Sequence, residues 1–266
     1  MRASDQWLPS IKSRGNPIAR LICFPHSGGD ASAFAKWGEL MPDSVELRGV
    51  QLPGRGARFN EALLNDLVYA SQQIASAISE LTPLPLVLLG HSLGGLLCYE
   101  TACALEAGRA ARTVKHIFVL GCRNPGFHAS KPLDSSPLSD ERIIELMQRY
   151  RRTPEQLIED PNFASVFLPV MRADLNMIAG YRPLNAKTVR VPVTVLAGTR
   201  EKLEDTQLDG WAAFAGGYFS KHRIRGGHFF AHSNRKLTIK HVLLEVATTT
   251  GVRLDLAPDP KPSNVC

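Results

Sequence analysis

The sequence predicts one α/β domain with a doubly wound, mostly parallel sheet and an inserted helical block, on three observations. Apolar, strand-like segments bounded by Gly or Pro recur six times. Helix-like stretches separate most of them, the alternation that covers a parallel sheet on both faces. The length of 266 residues suits a single large, well-buried core.

The strand-like segments fall at residues 19–25, 45–51, 84–90, 114–121, 191–198 and 218–225, with helical patterns at 31–41, 66–81 and 94–107. The alternation breaks between Asn124 and Thr188, where helical patterns follow one another without a convincing strand. Ser139-Asp140-Glu141-Arg142 is suited to capping one helix, and Thr153-Pro154-Glu155 to starting another. Leu168, Met171, Leu175 and Ile178 recur at helical spacing. The pattern alone fits a lid over a site at the strand ends as well as an ordinary surface subdomain. The organisation expected is an N-terminal extension (1–17), a main domain (18–253) with an insertion at about 124–188, and a mobile Pro-rich tail (254–266).

Apolar residues at 44% and charged residues at 21% give the balance of a packed globular protein. No apolar run is long enough to cross a bilayer and the start lacks a secretory pattern, so a cytoplasmic location is expected. Cys23, Cys98, Cys103 and Cys122 read as reduced core residues and Cys266 as free on the tail, with no CxxC pair among them. The net charge of +6 is scattered over the chain, which argues against nucleic-acid binding and leaves an acidic protein partner open.

The chemistry concentrates in three loops. Residues 84–99 read as an apolar strand, a Gly90-His91-Ser92-Leu93-Gly94 turn and a helix start. This is the GxSxG turn of the α/β-hydrolase fold, in which small flanking residues let a strained serine stand above the sheet at a helix N-terminus. Ser92 is therefore the expected nucleophile, and the Leu93 N–H an oxyanion donor. His91, adjacent to Ser92, reads as a turn residue. The loop Phe24-Pro25-His26-Ser27-Gly28-Gly29 leaves the first strand with the flexible backbone that a second donor requires, and the Ser27 N–H is that donor. His26 either touches substrate or packs against the loop.

In this fold the acid and the histidine follow the serine in that order. Arg225-Gly226-Gly227-His228-Phe229-Phe230 brings an imidazole back through two glycines, which makes His228 the expected base. His222 and His232 lack that approach. The acid belongs in the loop after the strand at 191–198, where Glu201 is nearest the strand end and Glu204 or Asp205 is the alternative. No metal or cofactor is expected.

With these pieces in place the sequence resembles the type II thioesterases, the stand-alone editing enzymes that accompany nonribosomal peptide and polyketide synthases. The resemblance covers most of the chain and rests on FPHSGG (24–29), QLPGRGAR (51–58), LLGHSLGG (88–95), LPVMRADLNMIAGY (168–181), VTVLAG (193–198) and GGHFF (226–230). It implies a lid inserted before the penultimate strand. It also implies hydrolysis of acyl groups held on the phosphopantetheine arm of acyl or peptidyl carrier proteins, which clears stalled or wrongly primed units. Matching positions carry over Ser92, His228, Ser27 and Leu93; the family usually has Asp where Glu201 falls and often Ala where Ser27 falls. A monomer is expected, with Arg149, Arg151 and Arg152 as one place where an acidic carrier would dock. The rivals are an esterase or lipase acting on small oxygen esters, and a non-catalytic carrier-binding protein on the same fold.

Overall fold

The computed structural model describes residues 2–108, 114–130, 138–150, 160–183 and 187–251. Among them seven strands form one sheet: β1 (Ser10–Lys12), β2 (Ala19–Phe24), β3 (Val45–Gly49), β4 (Leu86–His91), β5 (Val114–Leu120), β6 (Val193–Gly198) and β7 (Phe219–Ile224). Their order is β1-β3-β2-β4-β5-β6-β7, with β1 antiparallel to β3 and every other pairing parallel. The direction of winding reverses between β2 and β4. Ligands of open α/β sheets bind at such a switch point, outside the strand C-termini.

The helices are α1 (Ala3–Trp7), α2 (Ala35–Gly38), α3 (Leu67–Ser79), α4 (Leu93–Glu106), α5 (Pro125–Ser130), α6 (Asp140–Tyr150), α7 (Pro161–Gly180), α8 (Asp205–Asp209), α9 (Phe230–Ser233) and α10 (Arg235–Thr250). Alternate strand residues feed two apolar clusters, as the period of two requires. Ile22, Leu88, Val119 and Val195 pack toward α3 and α4. Leu21, Leu89, Phe118 and Leu196 face Phe34, Trp37 and the inner side of α10. β2, β4 and β6 are buried throughout, which is why they read as largely apolar runs, the buried Arg20 of β2 being paired with Glu46.

All six expected strands lie within two residues of their expected limits, with β4 running one residue further, to His91. β1 was not among the expected strands. It is three half-exposed residues at the sheet edge, within the stretch read as an N-terminal extension, and has no apolar run to betray it. The expected helix at 31–41 is instead a 3₁₀ turn (Ala31–Phe34) followed by the short α2. Asp30 fixes that start by accepting from Ser32 N. β7 closes the other edge with alternating burial, turning Lys221 and Arg223 outward, where charge discourages edge pairing.

Between β5 and β6, α6 and α7 pack on each other through a separate cluster of Ile143, Met147, Leu168 and Met171. Arg142 N donates to Ser139 Oγ at the start of α6, and Asp160 caps α7 ahead of Pro161. Thr153-Pro154-Glu155 and the tail at 254–266 lie outside the described residues.

Candidate active site

Ser92 has φ 56° and ψ −120°, and is the single non-glycine residue with positive φ among those described. The strain is held by neighbours: Ser92 N donates to Leu120 O at 2.8 Å, and Gly95 N to Ser92 O at 2.8 Å. Glycine is forced beside it, since a Cβ on Gly94 would stand 2.2 Å from the Phe24 carbonyl oxygen. The chain therefore turns directly from β4 into α4, and Leu93 opens that helix with an N–H that has no intrahelical acceptor.

His228 Nδ1 makes a short hydrogen bond with Glu201 Oε1, and both side chains are nearly enclosed. A carboxylate only accepts, so Nδ1 carries a proton, and in the neutral ring the lone pair is then on Nε2. The other carboxylate oxygen, Oε2, accepts from Gly198 N at 3.1 Å. Space for the pair comes from the end of β5: Gly121 has φ 56°, and a Cβ there would lie 2.9 Å from Glu201 Oε1. The two alternative acids are engaged elsewhere. Glu204 caps α8 in a capping box with Gln207, and Asp205 pairs with Arg223 at 2.7 Å on the surface.

His91 does more than fill a turn. It is fully buried, and its Nε2 lies 2.8 Å from the His228 carbonyl oxygen, so an Nε2–H donates there and fixes the backbone that carries the His228 ring. Burial, then the neighbouring His228, holds the His91 pKa well below the usual imidazole value, so the ring is neutral. His26, left open between substrate contact and packing, sets its ring edge-on to Phe229 with centroids 4.8 Å apart.

A second arrangement ties three separate segments together. Asp174, fully buried on α7, receives both terminal nitrogens of Arg55, at 2.6 and 2.7 Å, and the backbone N–H of Gly28 at 2.7 Å. Arg55, Asp174 and Gly28 belong to the LPGR, RAD and FPHSGG segments. Asp174 thus fastens α7 to the LPGR segment through Arg55 and to the loop that holds Ser27 through the Gly28 N–H. The sequence showed these segments as motifs but could not reveal that positions 119 residues apart meet.

Ser92, Leu93 and His228 line a cavity of about 1120 Å³. Leu96 and Phe127 form part of its wall, and Leu146, Leu175 and Ile178 of α6 and α7 form another. Arg123, Arg142, Arg149, Arg200 and Lys202 also line it, and Glu201 is the one acid among the described lining residues. Since Glu201 is bonded to His228, the cavity presents net positive charge. Arg149 is thus at the cavity; Arg151 and Arg152 lie outside the described residues.

The profile of the Thioesterase domain family matches residues 19–244. This chain belongs to the thioesterase family. The thioesterase is 30% identical to the gramicidin S biosynthesis protein GrsT of Aneurinibacillus migulanus over 255 residues, 96% of either chain. It is 31% identical to the medium-chain S-acyl fatty acid synthase thioesterase of Rattus norvegicus, over 85% of this chain and 87% of that one. Among solved structures it is similar to the RedJ thioesterase of the prodiginine pathway of Streptomyces coelicolor. That match has a TM-score of 0.79 and 30% identity, and covers 88% of this thioesterase and 94% of RedJ. The parallel sheet, its switch point and the serine turn give the thioesterase the α/β-hydrolase fold.

Proposed function

We propose that this protein is a type II thioesterase that hydrolyses acyl groups from the phosphopantetheine arm of carrier proteins in nonribosomal peptide or polyketide synthesis, with Ser92, His228 and Glu201 as its catalytic residues. The observation that carries the reading is a strained serine sharing one large cavity with a histidine whose Nδ1 is bonded to a buried glutamate. His228 Nε2 takes the Ser92 proton as the oxygen attacks the thioester carbonyl. The oxyanion rests on the Ser27 and Leu93 amides, and the C–S bond breaks to release the carrier thiol, with His228 returning the proton. Water, activated by His228, then cleaves the acyl-serine ester and frees the acid. Every group in this scheme comes from the chain, so the reading calls for no cofactor. In it, α6 and α7 act as a lid whose packing sets the acyl group accepted, and the basic cavity rim meets an acidic carrier.

The test is intact-mass analysis of carrier proteins loaded with different acyl groups and incubated with the wild type and Ser92→Ala. Deacylation by the wild type alone supports the reading, and equal deacylation by both overturns it. The likeness to the rat enzyme favours a second substrate reading, a medium-chain acyl group on a fatty acid synthase. Including medium-chain acyl groups among the loaded carriers separates the two. A p-nitrophenyl ester hydrolysed faster than any loaded carrier would point instead to a small-ester esterase.

A further inference from the structure

Behind the candidate active site three histidines converge that the hydrolytic scheme does not use as reacting groups. His26, His91 and His232 each bring one ring nitrogen to a common point, all within 4.8 Å of one another. Their rings are mutually packed, with centroids 5.4 to 5.6 Å apart. His91 is the fixed member. Its Nε2–H is held by the His228 carbonyl oxygen, which leaves Nδ1 as a lone-pair donor, and that buried atom has no hydrogen-bond partner among the described residues. An imidazole whose second nitrogen donates to a backbone carbonyl is the usual form of a metal-ligating histidine, because the carbonyl sets both tautomer and ring orientation.

We propose that His26, His91 and His232 form a site for a divalent transition metal of the zinc class. Three neutral imidazoles without thiolate or carboxylate suit zinc, cobalt, nickel or copper and not calcium or magnesium. Nitrogens bound at about 2.1 Å to a tetrahedral ion stand about 3.4 Å apart, so small ring rotations complete the site. His26 and His232 are half-buried, which gives the ion a path from solvent and leaves water as the fourth ligand. The bound ion would join three loops at one point: the one before Ser27, the turn before Ser92 and the segment after His228. Its role is that of a clamp, distinct from the groups that touch substrate.

The experiment uses untagged chain, stripped with a chelator and titrated with Co²⁺. The expected result is one equivalent bound with the visible absorption of four-coordinate cobalt, displaced by Zn²⁺. At zinc about a hundredfold above Kd, Tm should rise by about 5–10 °C. His232→Leu, and separately His26→Gln, should abolish both effects while the metal-free variants keep Tm within about 2 °C of the metal-free wild type. Using two variants keeps the test decisive if one of them misfolds. His241→Ala should change nothing; His222 and His241 form a separate histidine pair, 5.2 Å between centroids. Absence of a bound equivalent, or cobalt binding that survives His232→Leu and His26→Gln, overturns the proposal. So does cobalt binding lost in His241→Ala.

Discussion

In the sheet body, two apolar clusters grip the strands from either face and the serine turn is locked by backbone hydrogen bonds to β5. In the helical insertion, the cluster between α6 and α7 has only four buried members among the described residues, and the tie to the Ser27 loop is the Gly28 N–H donating to Asp174, itself ion-paired with Arg55. The body resists disturbance by many small contacts, each replaceable. The insertion is tied to the body through a few contacts along α7: Asp174 with Arg55 and Gly28, the Tyr181 hydroxyl donating to Glu100, and Met177 and Tyr181 entering the core. Rigid chemistry and an adjustable wall are thus held by different physical means, and substitutions in the two regions should fail in different ways.

The largest effects should come from the body. Ser92→Ala should lower acyl-carrier turnover by at least about a thousandfold, with Tm unchanged or raised, as read by single-turnover kinetics and calorimetry. Glu201→Gln should cost about a hundred- to ten-thousandfold in kcat with little change in KM, because an amide can stabilise the wrong histidine tautomer. A loss under tenfold would return Glu204 or Asp205 to consideration as the acid.

Asp174→Asn should behave otherwise. It leaves the buried Arg55 guanidinium uncompensated, at about 3–5 kcal/mol, so Tm should fall on the order of 10 °C. Loosening of the Gly28 amide should also lower kcat by about ten- to a hundredfold. Replacing both partners with apolar residues, Arg55→Met with Asp174→Leu, should restore much of the stability but not the rate. Recovery of both together would break the contrast between the regions.

Acid stability should expose two buried histidines next, His116 on β5 and His128 on α5 of the insertion. Burial lowers His116 and His128 to about 4, His128 with help from Arg123 and Arg182. Below about pH 6.5 the unfolded chain takes up protons that the folded one refuses, so stability should fall progressively from there toward pH 4. Replacing His116, whose Nε2 meets Thr194 Oγ1 at 2.9 Å, with Gln should flatten that slope. The smallest effect should be at the cavity rim. Reversing Arg149, Arg200 and Lys202 to Glu should raise KM for acyl carriers by about three- to tenfold at low salt, leave kcat alone, and lose its effect at high salt.

What the sequence disclosed follows the same division. β2, β4 and β6 were legible because burial on both faces writes a largely apolar run, and the turn at Ser92 because a strand, a GxSxG turn and a helix must adjoin in sequence. His228 was legible from its two preceding glycines. Glu201 was preferred over Glu204 and Asp205 only for its nearness to the strand end; its contacts with His228 and the Gly198 amide, and the space Gly121 leaves for it, could not be read from the sequence. The Asp174–Arg55 contact and the link from His91 to the His228 backbone were equally hidden, because each joins segments more than a hundred residues apart.

The backbone of Ser92 carries one more consequence. A left-handed conformation in a residue other than glycine costs about 1–3 kcal/mol, which the rest of the fold must offset. Ser92→Gly would remove that burden together with the hydroxyl of the proposed nucleophile. Selection of variants for heat resistance alone should therefore enrich inactive chains, and any screen for a hardier enzyme has to score turnover alongside survival.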